Sequence, residues 1–258
     1  MSQSIAVCTA TDSFYAMLPD DYSGGNRLID ALPPSERDAL LEAATTVHLR
    51  RREALITPGA PVLHVDFPNG AMISVVVVLE SGETTEVGVA GRESFVPAEA
   101  VLGEQIVRRT AFCQVPGSVV RVPIATFRTV LDRGDVLYTL AQRTLGARLF
   151  TAEQLIACNA SHALLARCAR WLLTTRDRVG RDEFALTHEF MALMLGVRRA
   201  GVTQAAADLQ RRGAIRYGRG HLSIVDDRRL SDLACECYAA TREALDRPFA
   251  LPALASAS

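Results

Sequence analysis

Lysine is absent: all 28 basic residues of this 258-residue chain are arginine. That one-sidedness fits a high-GC coding bias rather than a mechanism. Strong net charge is absent too. The formal total is −1, which excludes a chain that seeks polyanions with its whole surface. The apolar run Met72–Leu79 falls far short of the about 20 residues that a membrane-spanning helix needs. Residues 1–14 have neither the basic start nor the long apolar stretch of a secretion signal. Cys8, Cys113, Cys158, Cys168, Cys235 and Cys237 are scattered and give no disulfide framework, so a cytoplasmic chain is expected. There is no Gly-rich phosphate loop, no HExxH and no GxSxG, so an enzyme is not expected.

What is present is a chain that can bury a core, with 49% hydrophobic and 22% charged residues. Its charge is unevenly spread. Residues 161–240 hold 13 Arg against 9 Asp and Glu, a net +4, which leaves −5 for the remainder. A mildly basic C-terminal region beside an acidic remainder fits a DNA-reading domain joined to a sensing domain.

The most informative stretch is Leu186–Asp226. Thr187 can cap a helix by accepting an orphan N–H of its first turn. Leu186 and Met191 are spaced as a hydrophobic staple. Glu189 lies near the positive end of the helix dipole. Gly196 supplies the left-handed turn. In the second helix Val202, Ala205, Ala206 and Leu209 recur at helical spacing and face a core. The other face carries Arg198, Arg199, Gly201, Thr203, Gln204 and Ala207. Arg and Gln can bond to base edges in the major groove, and small residues permit close approach. Arg211 and Arg212 suit phosphate contact. Ile215–Tyr217 and His221–Val225 flank Gly218-Arg219-Gly220 as a hairpin, and Arg219 at its tip is a further candidate DNA contact. Two helices, a Gly turn and a hairpin in this order predict a winged helix-turn-helix and double-stranded DNA as partner.

Upstream, residues 1–25 read as a loose polar arm and Asn26–Ala44 as helical, with Ser35 after Pro33-Pro34 as a cap. From about Val47 to Pro123, short apolar runs alternate with Gly and Pro turns. The runs are Ala54–Ile56, Val62–Phe67, Met72–Leu79, Thr85–Val89, Ile106–Val115 and Ser118–Val122. That rhythm predicts a barrel, roll or sandwich, with Pro116-Gly117 as a hairpin turn. From Ile124 to about Cys158 the pattern is helical. Leu137, Leu140, Thr144, Ala147, Thr151 and Leu155 follow 3–4 spacing, read as a coiled-coil-like seam between two copies of the chain. A helix packed on its own barrel is the alternative. Ser161–Thr175 is another helix, ended by Gly180. The class is thus α+β: a β-roll or jelly-roll sensor barrel, a long dimerisation helix and a C-terminal winged helix-turn-helix. The expected boundaries are 1–25 (arm), 26–123 (barrel), 124–160 (dimerisation helix), 161–240 (DNA-binding domain) and 241–258 (tail).

This order resembles the Crp/Fnr family of bacterial transcription regulators over roughly 26–240. The motif carrying the resemblance runs Met191–Leu195, Gly196, Arg199, Val202, Leu209, Gly213, Ile215. The resemblance implies that Arg199 reads bases or phosphates early in the recognition helix. Ala200 and Gln204 depart from the family's usual Glu and basic residue, so a different half-site is expected. It also implies a homodimer, contact with RNA polymerase, and a small effector in the barrel. In the family's cyclic-nucleotide members a Gly-Glu pair precedes an Arg-Ser/Thr pair around the ligand. Glu99 and Arg109-Thr110 match in spacing, but Pro97 and Ala98 stand where the cassette has its Gly. Cyclic AMP is therefore expected to bind weakly or not at all, and the effector is left unnamed.

An iron–sulfur cluster is not expected, since only Cys8 lies near the N-terminus. His48 and His64 are haem candidates, each in a β pattern where a lone His is usually structural. Cys235-Glu236-Cys237 is a C-x-C pair that, on a helix, would point its thiols apart; no metal is expected. Cys158 and His162 lie at the hinge between helix and DNA-binding domain, and a redox-sensing role for Cys158 would require a lowered pKa. Three readings remain: a homodimeric DNA-binding regulator (cyclic-nucleotide-gated through Glu99 and Arg109 or otherwise controlled), a small-molecule module acting through protein contacts, and a redox enzyme using Cys235 and Cys237. The basic exposed face of 198–212 favours the first, since a protein-contact helix more often presents aromatic or Met anchors.

Overall fold

The computed structural model describes residues 25–218 and 220–250. Residues 1–24 of the expected 1–25 arm, Cys8 among them, and Arg219 and residues 251–258 lie outside them. Two short helices, α1 (Arg27–Asp30) and α2 (Pro34–Leu41), open the described chain. The single helical segment expected there is broken by Pro33, which locks φ and lacks a donor. Pro34 starts α2 at its first turn, so Ser35 is no cap. Asn26 caps α1 instead, accepting from Leu28 N, while its amide donates to Pro68 O and Ser94 O.

Seven strands follow: β1 (Thr45–Leu49), β2 (Ala54–Ile56), β3 (His64–Asn69), β4 (Met72–Val78), β5 (Thr84–Ala90), β6 (Thr110–Val115) and β7 (Gly117–Pro123). They form two antiparallel sheets, β1-β7-β3 and β2-β6-β4-β5. Phe67, Phe95 and Phe127 pack at centroid spacings of 6.0–6.2 Å in the core below the first sheet. Pro116-Gly117 is not a hairpin turn. It carries the chain from one sheet to the other, and a Cβ on Gly117 would lie 2.4 Å from Ala71 N, so the crossing needs glycine.

The helical region begins with α3 (Ile124–Leu131), and after a break at Asp132–Asp135 continues as α4 (Val136–Ser161). Glu36, buried on α2, accepts from Val136 N and Leu137 N at 3.1 and 2.8 Å. A carboxylate there satisfies orphan donors and meets the positive end of the dipole. At 26 residues, α4 is about 39 Å long. Leu137, Leu140, Thr144 and Ala147 are buried within the single chain, against the roll and against α9 (Cys237–Ala250). The first four seam positions are therefore internal core, the alternative noted from sequence, and Thr151 and Leu155 are only partly exposed. Leu149 and Ile156 are the most exposed large apolar residues of α4, at 62% and 72%, followed by Tyr138 and Phe150. Residues 237–250 form a helix along α4 rather than a tail.

The C-terminal domain comprises α5 (Leu164–Val179), β8 (Glu183–Ala185), α6 (His188–Leu195), α7 (Arg199–Arg211), β9 (Ile215–Gly218), β10 (His221–Ile224) and α8 (Asp227–Leu233). The hairpin has a third strand, in the order β8-β10-β9. This domain rests on the four-stranded sheet. Phe190 meets Phe112 edge-on at 6.2 Å, and Met72 and Val115 join its core.

Candidate nucleic-acid interface and effector pocket

The helix-turn-helix is set by the residues the sequence singles out. Thr187 Oγ1 accepts from Phe190 N at 3.2 Å, and Gly196 closes α6 with φ +62. Val202, Ala205, Ala206 and Leu209 are buried under α7. Arg198, Arg199, Thr203, Gln204, Arg211 and Arg212 lie on its exposed side. Gly201 does not. A Cβ there would lie 2.9 Å from Leu164 Cδ2, so its small size lets α7 approach α5 rather than DNA. Arg199 Nε is 2.9 Å from Glu189 Oε1, with both side chains more than half exposed. Arg211 is paired with Asp208. Thr203 Oγ1 is engaged, 3.0 Å from His188 Nδ1 and 3.1 Å from Arg199 O.

His188 is a residue the sequence reading missed. It stacks on Tyr217 at 4.3 Å and contacts Thr203, so it ties α6 to α7 and to the wing. Partial burial, then the Arg199 charge, lower its pKa against the opposing pull of Glu189. Tyr217 adds two ties: its OH donates to Leu186 O at 3.1 Å, and its backbone N–H donates to Gln210 Oε1 at 2.7 Å. A His at the first position of a predicted helix and a Tyr in a predicted wing strand carry no periodic signal that marks this contact.

In the roll, Glu99 and Arg109 are brought together, at 3.7 Å. Thr110 starts β6 opposite Val76 of β4. The cavity lined by Glu99, Arg109, Pro97, Ala98 and Arg148 has a volume of about 10 Å³, room for about one water. Arg148 was not foreseen: it reaches in from α4 and donates to Phe95 O at 2.9 Å. Desolvation lowers its pKa, against the pull of Glu99 and Glu93. A larger cavity of about 250 Å³ lies between α1, α5 and α9. Its charges are largely paired internally, Arg27 with Asp246 at 2.6 Å and Arg178 with Glu93 at 3.1 Å.

His48 and His64 stand on separate strands flanking β7, opposite Ser118 and Pro123, so the two haem candidates are not brought together. Cys158 does not have the lowered pKa that a redox-sensing thiol requires; burial pushes it up. Cys235 and Glu236 lie in the turn before α9, not on a helix, so the expectation that the thiols of Cys235 and Cys237 diverge does not hold.

Residues 166–233 match the Crp-like helix-turn-helix domain family. The chain carries a Crp-like helix-turn-helix domain. Over about three quarters of the chain the fold is similar to that of solved Crp/Fnr regulators. A CRP-family transcriptional regulator from Thermus thermophilus superposes with a TM-score of 0.60 at 22% identity, covering 73% of this chain and 96% of that one. FixK2 from Bradyrhizobium japonicum gives 0.60 at 17% identity, covering 74% and 98%. The c-di-GMP responsive regulator CLP from Xanthomonas campestris gives 0.57 at 13% identity, covering 74% and 99%. No curated protein matches the sequence. β8, which the sequence does not announce, pairs with β10 and completes the three-stranded sheet of this domain. No helix among the described residues is long and apolar enough to cross a membrane.

Proposed function

We propose that the chain is a homodimeric, sequence-specific DNA-binding transcription regulator whose α7 enters the major groove. The observation that carries this reading is the exposed face of α7, where Arg198, Arg199 and Gln204 stand free of the core that holds the helix. Arg199 and Gln204 supply base-edge hydrogen bonds. Arg198, Arg211 and Arg212 supply phosphate contacts, with Arg216 on β9 close to the wing tip. The wing, stapled to α6 and α7 through His188 and Tyr217, gives these contacts a fixed frame.

The partner copy lies along α4. Leu149, Ala152 and Ile156 fall at 3–4 spacing on the side of the helix not taken by the roll. This register differs from the one read from sequence. Two recognition helices related by that axis suit half-sites one helical turn apart, about 34–36 Å. Control acts through the roll, by a small effector or a conformational signal. RNA polymerase is the further partner, and the cytoplasm the compartment. The test is selection of a binding site from random duplexes, followed by affinity measurement with wild type and Arg199→Ala.

A further inference from the structure

Four metal-ligating side chains from two distant parts of the sequence meet at the junction of α4 with the DNA-binding domain. Cys158 lies in the last turn of α4 and His162 caps its end. Cys235 stands in the turn after α8, and Cys237 is the first residue of α9. Their ligand atoms all lie within 4.8 Å of one another. We propose that Cys158, His162, Cys235 and Cys237 form a tetrahedral site for a zinc-like divalent cation that fastens the end of α4 to the start of α9.

The geometry fits that class of ion. With metal–sulfur bonds of about 2.3 Å and metal–nitrogen bonds of about 2.05 Å, tetrahedral coordination puts sulfurs about 3.8 Å apart, and sulfur and nitrogen about 3.6 Å apart. Cys158 Sγ and Cys235 Sγ are 3.6 Å apart, as are Cys237 Sγ and His162 Nδ1. Three thiolates and one imidazole are soft and borderline donors, which select zinc over magnesium or calcium.

The spacing explains how the chain reaches this arrangement. Cys158 and His162 are four residues apart, one helical turn, so they share a face. Cys235 and Cys237 converge because the turn at Cys235–Glu236 frees them from helical geometry.

The surroundings are those of a supported ligand set. His162 Nε2 is 3.1 Å from Glu236 Oε1, which holds the proton on Nε2 and leaves the Nδ1 lone pair facing the thiols. A carboxylate behind a histidine ligand fixes its tautomer and orientation in this way. Gln154 Nε2 donates to Cys237 Sγ at 3.1 Å, an outer hydrogen bond of the kind that orients a ligand sulfur. Three thiolates, a neutral imidazole and a divalent ion sum to −1. Buried Arg170, whose Nε has no hydrogen-bond partner, acts electrostatically on Cys158 and offsets that charge. The three cysteines are buried, while His162 is a quarter exposed and gives the ion a way in. A Cys158–Cys235 disulfide would use two of these groups and leave Cys237 and His162 without a role. On binding, each thiol gives up its proton to solvent.

The test is titration of the reduced, metal-free full-length chain with Zn²⁺ and with Co²⁺. The expected result is one ion per chain, with intense thiolate-to-cobalt charge transfer and tetrahedral ligand-field bands. Cys235→Ser and His162→Ala, checked for fold by circular dichroism, lose the tight site; Cys8→Ser keeps it. Because the wild-type spectrum stands alone, a variant that fails to fold leaves the test intact. Three results overturn the proposal: no ion bound, cobalt bound without thiolate charge transfer, or loss of the site in Cys8→Ser. So does a Cys158–Cys235 disulfide in protein that takes up no cobalt once reduced.

Discussion

Trp171 Nε1 on α5 donates to Glu86 Oε1 on β5 at 3.3 Å, joining the DNA-binding domain to the sensor roll. The other carboxylate oxygen, Oε2, accepts from Ser74 Oγ at 2.9 Å. Desolvation raises the Glu86 pKa from 4.5 to about 7, opposed by these hydrogen bonds and by the Arg178 and Arg170 charges.

The sign of the resulting pH dependence is fixed. A carboxyl whose folded pKa is raised favours the folded state when protonated. Its contribution is fully present below about pH 4.5 and is lost as pH rises through about 7. Glu86→Gln should therefore match wild type in acid and exceed it above neutrality. The difference in unfolding midpoint between the two proteins from pH 4 to 8 checks this. A difference that does not vary with pH would show that folding leaves the Glu86 pKa at its ordinary value.

The dimer axis gives a second prediction. Leu149→Glu and Ile156→Glu should dissociate the dimer and weaken operator binding together, with the fold intact. Leu140→Glu should instead unfold the roll, because Leu140 is buried in the single chain. Burying an unpaired charge costs several kcal/mol. Sedimentation and circular dichroism separate the two outcomes.

The cassette gives a third. Cyclic AMP and cyclic GMP should produce no heat of binding at micromolar concentrations, since Pro97 and Ala98 crowd the site and its cavity is about 10 Å³. Micromolar binding that disappears in Arg109→Ala would overturn this.

Much of the DNA-binding domain is legible in sequence because its signals are local. Thr187, Gly196 and Gly180 act within one turn of their own helices. The buried face of α7 declares itself at helical spacing. What the sequence hides depends on contacts far along the chain. α4 has one apolar side for the roll and another left exposed, and periodicity cannot say which is which. Gly201 serves helix packing because Leu164 happens to lie opposite. Pro116-Gly117 marks a turn, but β7 pairs with β1 and β3 rather than with β6, a choice of partners far along the chain that the turn residues do not carry. Cys235 and Cys237 converge because α9 starts at Cys237, two residues after the first of them.

The central claim is that α7 reads base sequence through Arg199. A duplex selected by the wild-type protein should be bound far more weakly by folded, dimeric Arg199→Ala, since a lost bidentate base contact costs about 1–3 kcal/mol per half-site. Discrimination should relax at the position that Arg199 reads. Glu189→Ala, which removes only the carboxylate beside that guanidinium, should keep specific binding. Equal affinity of Arg199→Ala and wild type for the selected duplex, with the same sequence preference, would contradict the account.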